Sequence, residues 1–392
     1  AEGLTDLFGS TVREFAAGAG REGALDDVSR EACAALARFT AFLRDELAPG
    51  ASAQCGAGSA VVADLLRWEH VLDEPPEALA DYGRRTLAET RARMEDVAAE
   101  LGHASAAEAI AEIQTRTPRL DELVGAYRRA VEEARAYVVE HDIASMPPGE
   151  ELVVMATPTF LRTLLPFAAY EPPGPYEARQ LGMYYVTPPP DGLGEAELAA
   201  ALRSHPWASF GTTGVHEAYP GHHLQLVAAN QAPTLARRIA AIPDGGSLFV
   251  EGWAFYCEEL MEREGFLADP AARLMRLNDQ VWRACRVIID LELHLGHMDL
   301  PEAVDFLAAN AHMNRREAEL ECRRYAEEPG QAMSYLLGKR EVTGLAEVYR
   351  ERRGGSLKQF HDELLTWGSL PPAVIAWGMG LGPRPAAATV SS

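Results

Sequence analysis

Lysine is almost missing from this chain; it occurs only at Lys339 and Lys358. Arginine supplies nearly all the positive charge, and the formal net charge is still -22 at pH 7. A field of that sign repels a phosphate backbone and anionic lipid headgroups, which argues against nucleic acid and membrane surfaces as partners. Scarce lysine beside abundant alanine reads as the coding bias of a GC-rich genome. Cysteine is sparse as well. Cys33, Cys55, Cys257, Cys285 and Cys322 make an odd number with no CxxC pair. That argues against a thiolate zinc site and fits reduced, buried thiols. No run of eighteen apolar residues occurs, so no membrane-spanning helix is expected. The start lacks the basic and apolar regions of a secretory signal. The chain opens on Ala1 rather than Met, which leaves a removed signal open; the expected compartment is the cytoplasm.

What is present is helical periodicity. The 392 residues are 47% hydrophobic, enough for one large domain or two modest ones. Apolar residues at three-and-four spacing predict helices over about 29–46, 59–71, 76–101, 106–115 and 118–144. Residues 1–146 therefore read as a helical region. The character changes at 147. Apolar runs at 151–156 and 181–187 have strand propensity, and the prolines at 172–175 and 188–190 read as rigid connections. Helical patterns resume over about 195–204, 211–230, 233–241, 247–264, 268–295, 301–310, 314–327, 331–339, 341–352 and 356–367. Residues 147–382 form a metal-site region, continuous with the first in one globular unit, and 383–392 read as a frayed tail. The fold class is mostly α, multi-helical, with a small β-sheet next to the histidine-bearing helix.

Three of the eleven histidines fall in His216-Glu217-Ala218-Tyr219-Pro220-Gly221-His222-His223. Two imidazoles and a carboxylate suit a catalytic Zn2+, and a glutamate beside the first imidazole is placed to act as a base. The usual HExxH spacing puts both histidines on one helix face. Here Pro220 occupies the second position, and the next histidines follow His216 by six and seven residues. A straight helix brings neither round to the metal. Proline removes a hydrogen bond and glycine tolerates unusual angles, so Pro220-Gly221 should distort the helix. His222 is favoured as the second ligand, with His223 as the alternate. Glu251, 29 residues after His222, is the expected third ligand. Glu258, seven further on, could hold a ligand histidine through its other ring nitrogen.

These residues resemble the bacterial DUF885 family, which is similar to gluzincin metallopeptidases. The pattern HEAxPGHHLQ matches His216 to Gln225, and EGWAxYxE matches Glu251 to Glu258. Further matching blocks are 283–290 leading to His294, 321–325 leading to 329–339, and 360–362 with 368–371. The resemblance implies a mostly helical zincin-type fold. It supplies no substrate. Many relatives are longer and exported, so the shorter chain implies a small amide or dipeptide-like molecule.

Catalysis needs more than the metal. Tyr335 could donate to an oxyanion. Arg324 and Arg286 could hold a substrate carboxylate, with His294 assisting. Each has a plainer account: Arg286 could pair with Asp290, and Arg324 with Glu321. Tyr184 and Tyr185 read as core more readily than cleft, and His361 as a helix-terminus feature. The expected function is a zinc-dependent hydrolase cleaving an amide or peptide bond, with Glu217 as general base. The alternatives are a lyase or oxidative enzyme on the same site, with iron in a two-His-one-carboxylate set, or a non-catalytic helical binding protein.

Overall fold

The computed structural model describes residues 4–5, 7–18, 20, 25–51, 55–162, 165, 168–190, 192–239 and 247–385. The end of the predicted tail, 386–392, lies outside them, as do 240–246. Two compact units are present. The smaller comprises residues 1–54, 155–169 and 185–188; the larger comprises 55–154, 170–184 and 189–392.

In the smaller unit helix α1 (Asp26–Phe42) carries two aspartates in its first turn, which suit the positive end of the helix dipole. Within the same unit the Thr157 and Thr187 hydroxyls are hydrogen-bonded at 2.7 Å.

The larger unit holds most of the helices: α2 (Pro76–Glu100), α3 (Ala106–Ile113), α4 (Leu123–Glu140), α5 (Glu195–Leu202), α6 (Phe210–Glu217) and α7 (His222–Asn230). After a short helix at Leu235–Ile239 come α8 (Ser247–Arg263), α9 (Pro270–His294), α10 (Leu300–Asn310) and α11 (Arg315–Glu327). The last are α12 (Ser334–Arg353), α13 (Leu357–Leu365) and α14 (Pro372–Gly378). The chain is thus mostly helical. Strands β1 (Glu150–Ala156), β2 (Ala168–Glu171) and β3 (Gln180–Val186) form one small sheet in the order β1-β3-β2.

Local chemistry sets the helix ends. Asp269 caps α9 by accepting the Ala272 N–H at 3.1 Å, with Pro270 at the first helical position. Asp299 and Glu302 form a reciprocal capping box on α10. Along α9 the apolar stripe Leu274, Leu277, Val281, Ala284, Ile288 and Leu291 is buried. It packs with Leu79, Leu87 and Met94 of α2 in the core of the larger unit.

Several sequence expectations change in the folded chain. The predicted helix over 211–230 is two helices, α6 and α7. The two predicted over 331–339 and 341–352 are one, α12, because Arg340 continues the helical run between them. Strand β2, flanked by prolines, and helix α14 carried no periodic signal long enough to predict.

Candidate metal centre

The centre is built where α6 stops. Ala218 leaves helical angles at φ -121° and ψ -83°, the Tyr219–Pro220 bond is cis, and Gly221 has ψ -133° before α7 begins at His222. The break is not left unsatisfied: the Gly221 N–H donates to the Val215 carbonyl at 3.0 Å. Gly221 is required by crowding. A Cβ there would lie 1.9 Å from the His216 carbonyl oxygen, well inside van der Waals contact. The distortion predicted from Pro220-Gly221 therefore exists as a complete interruption, and it turns the start of α7 back towards the end of α6.

Helix α8 clamps this turn. The Trp253 indole N–H donates to the Pro220 carbonyl at 2.8 Å, and the Trp253 ring is fully buried. On the other side α8 crosses α12 closely enough that a Cβ on Gly252 would sit 2.4 Å from Gly338. These contacts fix Glu251 against both histidines.

His216, His222 and Glu251 come together, with ligand atoms all within 4.8 Å of one another. His222 Nε2 lies 3.3 Å and His216 Nε2 3.6 Å from Glu251 Oε2. The two rings are nearly perpendicular, at 89° with centroids 4.7 Å apart. Behind them His216 Nδ1 lies 2.7 Å from Glu258 Oε1, which is buried. A carboxylate can only accept, so Nδ1 carries a proton towards Glu258, and Nε2 is the ring nitrogen that faces Glu251 and His222.

The electrostatics of the cluster are strongly coupled. Two carboxylates face His216. Burial alone would lower its pKa, but Glu251 and Glu258 push it up to about 10. Burial alone would raise the Glu251 carboxyl; the His222 and His216 imidazoles outweigh it and hold it well below the usual range. Buried His222 Nδ1, Glu251 Oε2 and Glu258 Oε2 have no hydrogen-bond partner. Two imidazoles and one carboxylate with excess negative charge are a donor set that fits a divalent ion of the borderline class.

His223 points elsewhere. Its Nε2–H donates to Glu150 at 2.9 Å, and its Nδ1 accepts from the Tyr170 hydroxyl at 2.9 Å. Glu150 also accepts from the Tyr219 hydroxyl and from Arg135. Sequence reasoning missed this buried network, because no pattern links a residue on β1 to one on α7.

Glu217 is half-buried as the last residue of α6. Its charge reaches the buried phenols of Tyr127 and Tyr184, adding to the rise that burial gives both. Tyr335, in the first turn of α12, stacks over His216 with centroids 6.1 Å apart and 12° between planes. Burial raises its phenol, and the nearby Glu251 charge adds to that.

The other predicted residues are placed differently. Arg286 is buried beneath Tyr335, 4.0 Å from its ring centroid. It does not hydrogen-bond to Asp290. Its Nε donates to the Ala332 carbonyl at 3.2 Å and its Nη2 to Gln331 at 3.1 Å. Arg324 pairs with Glu321 at 2.7 Å, the plainer account of it. His294 is buried with its ring nitrogens against the Tyr325 carbonyl, 3.0 Å, and the Ala57 N–H, 3.2 Å. Backbone groups occupy it, so it cannot assist at the centre. Tyr184 is core, edge-on to Tyr127, and Tyr185 is half-buried in the smaller unit. His361 is not at a helix end. It lies inside α13, fully buried, and joins the Ile143 carbonyl to the Tyr256 hydroxyl.

The family model described as bacterial protein of unknown function (DUF885) matches residues 3–379. The chain belongs to the DUF885 family. Two solved structures share the fold of this DUF885 protein. One is a candidate lipoprotein of unknown function from Shewanella oneidensis, 25% identical, with a TM-score of 0.74 over 97% of this chain and 70% of that one. The other is a candidate lipoprotein from Colwellia psychrerythraea, 21% identical, with a TM-score of 0.77 over 91% of this chain and 61% of that one. The DUF885 chain thus spans less than two thirds of the second. No curated protein matches it. No helix among the described residues is long and apolar enough to cross a membrane.

Proposed function

We propose that this DUF885 protein is a zinc-dependent hydrolase that cleaves an amide or peptide bond in a small substrate. The observation that carries this reading is the convergence of His216, His222 and Glu251, with Glu258 behind His216 and Glu217 one residue along. Two histidines at a helix break, followed by a glutamate on the next helix, is the gluzincin order of ligands. The zincin-like reading of the fold rests on that order. His216, His222 and Glu251 would hold a zinc ion, whose Lewis acidity would make a bound water nucleophilic near neutral pH.

The chain's own residues do the rest. Glu258 holds the His216 ring with its Nε2 lone pair turned inward. Glu217 takes a proton from the attacking water and returns it to the leaving amine. Tyr335 donates its hydroxyl to the oxygen that gains charge. Arg286 sits under the Tyr335 ring and favours that charge. The reaction needs no covalent intermediate. A cytoplasmic location belongs to the same proposal, resting on the sparse cysteines; the lipoprotein descriptions of the two similar structures support an envelope location as its rival.

The test is Glu217→Gln, with metal content read by mass spectrometry and turnover on N-acyl amino acids and dipeptides. The parent should hold about one equivalent of zinc. The variant should keep the metal and lose roughly 10²–10⁴ in kcat. A parent without metal, or a variant as active as the parent, sinks the reading. Bound iron with oxygen consumption would replace it by oxidative chemistry at the same residues.

A further inference from the structure

The two histidines of the centre are held in different ways. His216 has Glu258 behind it, but the buried Nδ1 of His222 has no hydrogen-bond partner. A metal-ligating histidine is usually oriented by a partner on its second ring nitrogen. His222 must therefore be aimed by the backbone that carries it, which means by the rotation of α7 about its own axis.

The small sheet fixes that rotation. His223 and Asn230 lie seven residues apart, on one face of α7, and both bond to the strands or the loop between them. His223, fully buried, donates through Nε2 to Glu150 of β1 and accepts at Nδ1 from the Tyr170 hydroxyl of β2, each at 2.9 Å. Asn230 donates to the Gln180 side chain of β3 at 2.9 Å and to the Pro173 carbonyl at 3.0 Å. Gly182 of β3 makes room for this seat, since a Cβ there would lie 2.7 Å from His223 Nδ1. Glu150 Oε2 also accepts from the Tyr219 hydroxyl, so one oxygen ties the two sides of the break between α6 and α7. With His223 seated on the strands, His222 points about 100° away from them, and there it meets Glu251 at 3.3 Å.

We infer that Glu150 is a positioning residue of the metal centre: it seats His223 on the sheet, so that His222 completes the set with His216 and Glu251. This rests on the metal-binding part of the proposed function. Glu150 acts only through other residues. Arg135 bonds to its Oε1, and Tyr219 and His223 to its Oε2.

The experiment measures the zinc affinity of folded protein by competition with a chelating dye. Glu150→Ala should bind zinc about tenfold more weakly than the parent. Glu150→Gln retains one accepting oxygen, which Tyr219 and His223 take while the half-exposed Arg135 turns to water. It should stay within about twofold of the parent. The losses should not add: Glu150→Ala combined with His223→Ala should bind as weakly as His223→Ala alone. The inference is overturned by parental affinity in Glu150→Ala, by equal losses in the alanine and glutamine variants, which would mark a charge acting at a distance, or by additive losses. If Glu150→Ala does not fold, Tyr170→Phe replaces it. That change removes one hydroxyl from the seat and should weaken zinc binding about threefold, and parental affinity there overturns the inference. A crystal structure of metal-free Glu150→Ala, or of Tyr170→Phe in its place, gives a readout that needs no zinc. His222 Nε2 should lie farther from Glu251 than the 3.3 Å of the parent, and an unmoved His222 overturns the inference. A parent that binds no zinc fails the metal reading, and the metal-free structure still decides the role of Glu150.

Discussion

At His216 two carboxylates share one imidazole, and only one of them can also reach the second histidine. Glu251 does so; Glu258 holds the far side of the ring. The pattern EGWAxYxE showed both glutamates, because seven residues return to the same helix face. What it could not show was that His223, directly after His222, turns towards Glu150. Adjacent residues on a helix point about 100° apart, and the neighbours on each side decide which one reaches the centre. Glu258→Gln should weaken metal affinity by about 10–100-fold, read by competition with a chelating dye. Unchanged affinity would make Glu258 a bystander. Arg324 and His294 illustrate the limit of motif reading. Both lie in family-like blocks, but a salt bridge holds one and backbone groups hold the other.

Among the elements, the break between α6 and α7 matters most. The sequence located it at Pro220-Gly221, since proline and glycine interrupt helices wherever they occur together. Its outcome depends on α8, whose Trp253 anchors the Pro220 carbonyl. Gly221→Ala would drive a Cβ into the His216 carbonyl. It should cost at least about 3 kcal/mol in denaturant unfolding and abolish metal binding. A variant with parental stability and metal content would refute the crowding argument. Trp253→Phe leaves a buried carbonyl without its donor, at about 1–3 kcal/mol. It should also lower metal affinity, because the Trp253–Pro220 hydrogen bond holds α8 against the turn that carries His222.

For the whole molecule, three buried imidazoles govern acid stability. Burial lowers His70, His205 and His361 to about 4, against about 6.5 in an unfolded chain. The unfolded chain therefore binds more protons below pH 6.5, and stability is lost as pH falls from about 6.5 to about 4. For fully buried His361 alone the loss is on the order of 3 kcal/mol. Urea unfolding at pH 7 and pH 5 should show it, and His361→Gln should flatten the difference. Equal midpoints at the two pH values would contradict it.

The sequence by itself determined the helical class, most helix positions, the two strands with alternating or apolar runs, and the residues that could act on a metal. These follow from periodicity and residue chemistry, which are local. The tertiary structure alone decided which histidine joins His216, that Arg286 is held by Ala332 and Gln331, and that His294 and His361 are structural. Each of these depends on which hydrogen-bond donor or acceptor lies within about 3 Å of a side chain. Hydrogen-bond partners brought from 31 to 237 residues away leave no trace in local spacing.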